Sequence, residues 1–425
     1  MFTLTSQMSS VLLVAACTQI IALLGFLFVP PHSLLRTFAV AVIVILVRQC
    51  LAANEDFEIG ELFRLYMCGY VLYANEYLVL ETVSVPASLS TSKRLLGGLR
   101  LLFSPRMHVP PKAVPRFDPK NPSYVPTRKR FFCLQVWKIG WMATAYYCVF
   151  HRYSLQVSIA EFAHPREHLF RRLPEVDGHE AIIRIYMAFK EHFRNYVLIS
   201  LIHSTASLIG VFLFKDEPAD WRPLYGNIED AYTVRRYYSH FWHRVMRTAY
   251  VSNAKFVLFR ILGVPSTGVT ARLLLTITAL AISGTVHSVA ASTSWRCATL
   301  RPLWYYLSIG GAILIEDMVQ HGYWKLKTLL PRVVLTPVAN ETRTASTQPS
   351  QHATGKYLTH TDHSPKVAIG VDKTSSKWRY VGYLWVMAFE CWAIPRTIYP
   401  QMTCQWVDRW LALNPGTTFE QLVNE

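Results

Sequence analysis

Apolar positions along this chain fall in long runs, and polar positions gather between them. Residues 11–29, 34–53, 193–214, 268–292 and 302–322 each approach the roughly 20 apolar residues that a helix needs to cross a bilayer. Three further runs carry polar groups: 63–82 holds Arg64, Asn75 and Glu76, 131–150 holds Lys138, and 377–398 holds Glu390 and Arg396. Together they predict an all-α, polytopic transmembrane helical bundle of about eight spans. The first run lacks a basic leader and a small-residue cleavage site, and Pro30-Pro31 ends it, so it reads as a retained span.

Charge between the runs suggests a direction. Residues 84–130 carry ten Lys and Arg against the single acid Asp118, which predicts a cytoplasmic loop. Glu55, Asp56, Glu58 and Glu61 precede the third run and predict the opposite side. If 131–150 crosses, 151–192 is a loop on the far side, and the basic, aromatic stretch after 193–214 returns to the cytosol. Residues 333–376, rich in Thr, Ser, His, Gln and Pro, read as a mobile loop. It holds the sequon Asn340-Glu341-Thr342, silent on this orientation, and His352, His360 and His363, whose spacing fits no metal site. The chain thus divides into N-terminal spans and a basic loop (1–130), a core (131–325), a polar loop (326–376) and a C-terminal span with its tail (377–425).

Composition agrees with a membrane protein. At 52% hydrophobic and 13% aromatic over 425 residues, the chain is too apolar for an ordinary soluble protein. Its net charge of +16 is explained by loops obeying the positive-inside rule, so nucleic acid is not an expected partner. The eight cysteines form no zinc spacing and read as small core residues. No metal site is expected.

Two segments carry candidate chemistry. His287 lies in an apolar run, where an ionisable group faces a protein interior or a water-filled cavity. It serves either helix packing or proton transfer. Upstream, Tyr237, Tyr238, Phe241 and Trp242 alternate with Arg235, Arg236, Arg244 and Arg247. This pattern suits either an interfacial anchor or a phosphate-rich ligand gripped by arginine forks. Glu316 and Asp317 either polarise or orient a histidine or mark a helix end at the interface, and the second, structural role is favoured. His203 and Glu390 read as helix contacts.

Residue order adds to this. Pro223-Leu224-Tyr225-Gly226, then Ala231 to His243, resembles the signature of the wax synthase-like branch of membrane-bound O-acyltransferases. Within that branch it is similar to fungal members that acetylate terpenoid and meroterpenoid alcohols. Ser283-Gly284-Thr285-Val286-His287-Ser288 occupies the place of the family's membrane-embedded histidine. The chain departs from the pattern at Tyr237-Tyr238, Ser239 and His240, whereas Trp242-His243 and His287 match it.

The resemblance implies acyl transfer from acetyl-CoA, a co-substrate and not a bound cofactor, to a hydrophobic alcohol reached from the bilayer. His287 would be the general base and His243 a second catalytic group, with Arg235, Arg236, Trp242 and Arg244 binding the carrier. The endoplasmic reticulum is the expected membrane. A long-chain wax ester synthase is the alternative within enzymes, and a polytopic transporter the alternative outside them. The distance in sequence between His287 and the basic segment calls for a tunnel or a re-entrant stretch at 254–264.

Overall fold

The computed structural model describes residues 2–52, 61–103, 117–118, 121, 123–152, 155, 157–292, 300–329 and 376–413. The polar loop with Asn340, His352, His360 and His363 lies outside these residues, as do Glu55, Asp56 and Glu58. Among the described residues every regular element is helical. In chain order they are α1 (Phe2–Phe28), α2 (Leu34–Ala52), α3 (Glu61–Asn75), α4 (Thr91–Phe103), α5 (Arg128–Tyr147), α6 (Gly178–Phe212), α7 (Val234–Arg236), α8 (Arg247–Lys255), α9 (Val269–Ser292), α10 (Arg301–Leu329), α11 (Ser376–Ala393) and α12 (Pro395–Leu413). Four helices contain stretches long and apolar enough to cross a membrane: Val11–Phe28, Leu34–Ala52, Gly178–Phe212 and Val269–Ala291.

Three expectations change. The span expected from 193 starts at 178, where the Asp177 carboxylate accepts the Glu180 N–H at 2.7 Å and caps α6. Charge had hidden this first half, but its charges are satisfied in place. Buried Glu180 pairs with Arg184 at 2.7 Å and with Arg172 at 3.2 Å. At 35 residues α6 runs for about 52 Å. The run 377–398 is two helices meeting at Ile394, just before Pro395. The basic 84–130 stretch contains α4, whose buried Leu101 and Leu102 join a core of α1–α3. Among the cysteines, Cys50 and Cys68 are buried, Cys133 is exposed, and Cys404 is disulfide-bonded.

Two hydrophobic cores result. One joins α1–α4 to the end of α9 through Phe26, Ile43, Met67, Leu78 and Ala290. The other joins α6, α10, α11 and α12 to the 231–242 segment through Ile183, Val234, Ile309, Phe389 and Tyr399. Buried arginines in the first core are spent on main-chain carbonyls at or just beyond helix ends. Arg36 donates to the Val29 and Val83 carbonyls at 2.8 Å each, and Arg64 to the Ala290 carbonyl at 3.1 Å. A cation suits such a place because the last carbonyls of a helix carry partial negative charge. The seam between the cores is α9 against α10. There Gly284 faces Leu303, and the Ser288 hydroxyl accepts the Leu303 N–H at 3.0 Å.

Candidate functional site

Residues 223–243 fold as a clamped turn. The Gly226 N–H donates to the Phe241 carbonyl at 2.8 Å, and a Cβ at Gly226 would collide with the His240 carbonyl, so glycine is required there. Glu316, buried on α10, accepts the Val234 N–H at 2.5 Å, the Arg235 N–H at 3.0 Å and the Trp385 indole N–H at 2.8 Å. Its carboxylate therefore holds the open N-terminus of α7. A π-helical turn over Tyr237–Phe241 follows, closed by the Trp242 N–H on the Tyr237 carbonyl at 2.7 Å. Trp242 then turns extended, with φ −61° and ψ 152°.

That turn places Trp242 and His243 in the wall of a cavity of about 730 Å³, and His287 lies in the same wall. Further lining comes from α3 (Phe63, Tyr66), α6 (Glu191, His192, Asn195), Tyr238, α8 (Tyr250), α10 (Tyr305, Tyr306) and α12 (Thr397, Gln401). Long-range packing thus closes the gap between His243 and His287. The 254–264 stretch instead holds the end of α8 and a π-helical turn, with α8 packed on α3 and α9. Within the cavity the tautomer of His287 follows from its partners. The Ser283 carbonyl, 2.8 Å from Nδ1, can only accept, so Nδ1 carries the proton. Nε2 then accepts the Tyr306 hydroxyl at 2.9 Å. Such an imidazole presents a basic nitrogen to the cavity.

The expected arginines do not line the cavity. Arg235 pairs with Asp317 where both are about half exposed. Arg236 binds Asp230 at 2.7 Å and lies 4.5 Å above the Tyr232 ring. Arg244 donates to the Ser239 carbonyl at 2.6 Å. Arg236 and Arg244 flank His240, whose pKa is lowered by partial burial and then by their charges. The basic group therefore forms a cationic face beside the cavity.

Other residues at the site were missed or set aside. Glu390, read above as a helix contact, is 4% exposed. It accepts the Tyr238 and Tyr305 hydroxyls at 2.9 Å each and lies 3.0 Å from His192 Nε2. Burial, and then the Glu390 charge, pushes the Tyr238 phenol well above its usual range, so it stays a donor. His192 lies one residue before the apolar run 193–214, so the run's boundary excludes it. A second cavity, of about 440 Å³, shares His192 and Trp242 with the first and is lined by Phe189, Phe193, Tyr237 and Met387. Elsewhere, His164, Glu167 and His168 have ligand-like spacing. Glu167 is held by Arg301 at 2.7 Å and His168 accepts from Arg396 at 3.2 Å, an arrangement that disfavours a further cation.

Residues 221–306 match the model of the membrane bound O-acyl transferase family. The chain is 30% identical over 149 residues to the acetyltransferase atnC of Arthrinium sp, an alignment covering 35% of this chain and 34% of that protein. It is 33% identical over 127 residues to the acetyltransferase TRI7 of Fusarium sporotrichioides, covering 29% of each. With the acetyltransferase cdmC of Talaromyces verruculosus it shares 28% over 225 residues, covering 50% of this chain and 51% of that one. The chain spans about half or less of the length of these curated relatives. No solved structure matches it significantly. Over the matched residues the chain is similar to the membrane-bound O-acyltransferases and to these fungal acetyltransferases. The matched segment holds His243, His287, Tyr305 and Tyr306 but neither His192 nor Glu390.

Proposed function

We propose that this protein is a membrane-bound O-acetyltransferase that moves acetyl from acetyl-CoA to a hydroxyl of a terpenoid or meroterpenoid, at the endoplasmic reticulum membrane. The observation that carries this reading is the single cavity joining His287, with Nε2 as acceptor, to Trp242 and His243. The acetyltransferase relatives support the reaction class.

In this reading the acceptor hydroxyl takes the place of the Tyr306 hydroxyl on His287 Nε2. As its oxygen attacks the thioester carbonyl, Nε2 receives its proton. The C–S bond breaks as the C–O bond becomes an ester, and the imidazolium returns the proton to the departing thiolate. His243 positions the thioester or donates to the oxyanion. Trp242 supplies an aromatic wall. Arg235, Arg236 and Arg244 form the face that meets the carrier's phosphates. An exposed ion pair such as Arg235 with Asp317 contributes little to stability, so Asp317 is readily exchanged for a phosphate.

The cavity, about 730 Å³, far exceeds an acetyl group and also suits a long acyl chain, which keeps a wax ester synthase as the competing reading. Incubating membranes that contain the protein with acetyl-CoA or palmitoyl-CoA and a panel of polycyclic and fatty alcohols separates the two. Acetyl esters of polycyclic alcohols are expected; transfer of the long chain alone would reject the proposal.

A further inference from the structure

Buried polar atoms that line a cavity and meet no partner mark where a ligand's own polar groups belong. Thr397 and Gln401 of α12 line the larger cavity, the one that holds His287. Among the described residues, the Thr397 hydroxyl and Gln401 Oε1 have no hydrogen-bond partner, and Gln401 is only 3% exposed. Burial without a donor is costly for an amide oxygen, and a ligand that supplies the donor removes that cost.

Residues four apart share one face of a helix, so the hydroxyl and the amide act side by side. Pro400, between them, has no N–H to give the Arg396 carbonyl, and Arg301 donates to that carbonyl instead at 3.4 Å. Arg301 opens α10, and five residues on, about 7.5 Å along the helix axis, the Tyr306 hydroxyl meets His287 Nε2. The first turns of α10 therefore tie the Thr397–Gln401 face to His287 across a single cavity.

The other walls of that cavity are largely apolar, with Phe63, Ile202, Met246 and Ile398 among them. Gln401 Oε1 accepts, and the Thr397 hydroxyl both donates and accepts, so one hydroxyl of a ligand satisfies the pair. The cationic face that meets the carrier belongs to the 235–244 segment, whereas the pair belongs to α12, which packs on α6, α10 and α11. The alcohol, and not the carrier, is the molecule that reaches them.

We propose that Thr397 and Gln401 bind a second hydroxyl of the acceptor, on an apolar skeleton whose first hydroxyl lies at His287, so that the preferred acceptor is a diol. The proposal deepens the acyl-transfer reading, on which it rests only for the role of the first hydroxyl. Its test is equilibrium binding to the full-length protein in nanodiscs without an acyl donor, after subtraction of binding to empty nanodiscs. The probes are three tritiated androstanediols that differ in the position of the second hydroxyl, the matching mono-ol, and coenzyme A. At least one diol is expected to bind about 10-fold or more tighter than the mono-ol. Gln401→Met keeps the length of the side chain and removes the acceptor, so it should bring that diol down to the mono-ol while leaving the mono-ol and coenzyme A unchanged. Thr397→Val should weaken the diol alone, by a smaller factor.

A native protein that binds no diol more tightly than the mono-ol overturns the proposal. A Gln401→Met protein that keeps the diol preference, loses all probes equally, or weakens coenzyme A alone also overturns it, the last by assigning the pair to the carrier. If Gln401→Met fails to accumulate, the native preference and its loss in Thr397→Val decide. Diol preference that depends on Gln401, without any acyl transfer, leaves this inference standing and removes the acyl-transfer reading. Transfer without diol preference does the reverse.

Discussion

Glu316 and Glu390 are both buried acids on long helices, and both meet the 231–243 segment, yet their surroundings differ in kind. Glu316 receives an indole and two backbone N–H groups, and those two cannot leave without unfolding the turn. Glu390 receives only side chains, the two phenols, with His192 Nε2 3.0 Å away, and it lies on a cavity wall. A carboxylate satisfied by main chain is part of the scaffold; one satisfied by side chains beside a void can exchange a partner for a ligand. Burial alone would have treated the two alike.

The largest effect that separates the site from its scaffold is expected at His287. His287→Ala should lower acyl transfer by about 100- to 10,000-fold, the range of a lost general base, while the protein accumulates in membranes normally. Unchanged turnover, measured with radiolabelled acetyl-CoA, would remove His287 from the mechanism. Glu316→Ala should act through folding. Stranding two backbone donors costs about 1–3 kcal/mol each, so its thermal midpoint and its activity should fall together. An intact midpoint with lost activity would move Glu316 into the site and erase the contrast with Glu390.

Gly226→Ala sharpens the same contrast from the backbone side. The added methyl meets the His240 carbonyl, and forcing it in should cost about 1–3 kcal/mol, read as a lower thermal midpoint with weaker transfer. Tyr306→Phe removes one hydrogen bond to His287, worth about 0.5–1.5 kcal/mol, so kcat should change by no more than about 10-fold in either direction. A loss as large as that of His287→Ala would make Tyr306 a proton donor in its own right. The smallest effect concerns His240, whose folded pKa lies below its ordinary value of about 6.5. Above that value both states are neutral and the residue contributes nothing. As pH falls through it, the unfolded chain takes the proton first and stability drops. His240→Gln should therefore lose less thermal stability than the native protein between about pH 7.5 and about pH 5.5.

Much of the helical scaffold was legible because a membrane demands long apolar runs, and α1, α2, α6 and α9 carry them. Boundaries were lost where charges are neutralised by distant partners. Glu180 and Arg184 look like loop residues until they are seen paired, and His192 was excluded with them. Glu390 announced itself as an ionisable group in an apolar run, but its companions Tyr238 and Tyr305 come from different parts of the chain. Basic residues marked a carrier site by type; the fold spends Arg236 and Arg244 partly on its own turn.

By itself, then, the sequence determined the helical class, the motif turn around Gly226, and Trp242, His243 and His287 as the residues to watch. These rest on local patterns: apolar length, a turn motif ending in glycine, and a residue order shared with relatives. Only the tertiary structure decided that His243 and His287 share one cavity and that the arginines stand beside it. It also decided that Glu316 holds a helix end while Glu390 faces a void. Such distinctions depend on which distant atoms reach each polar group, and spacing along a chain does not encode that.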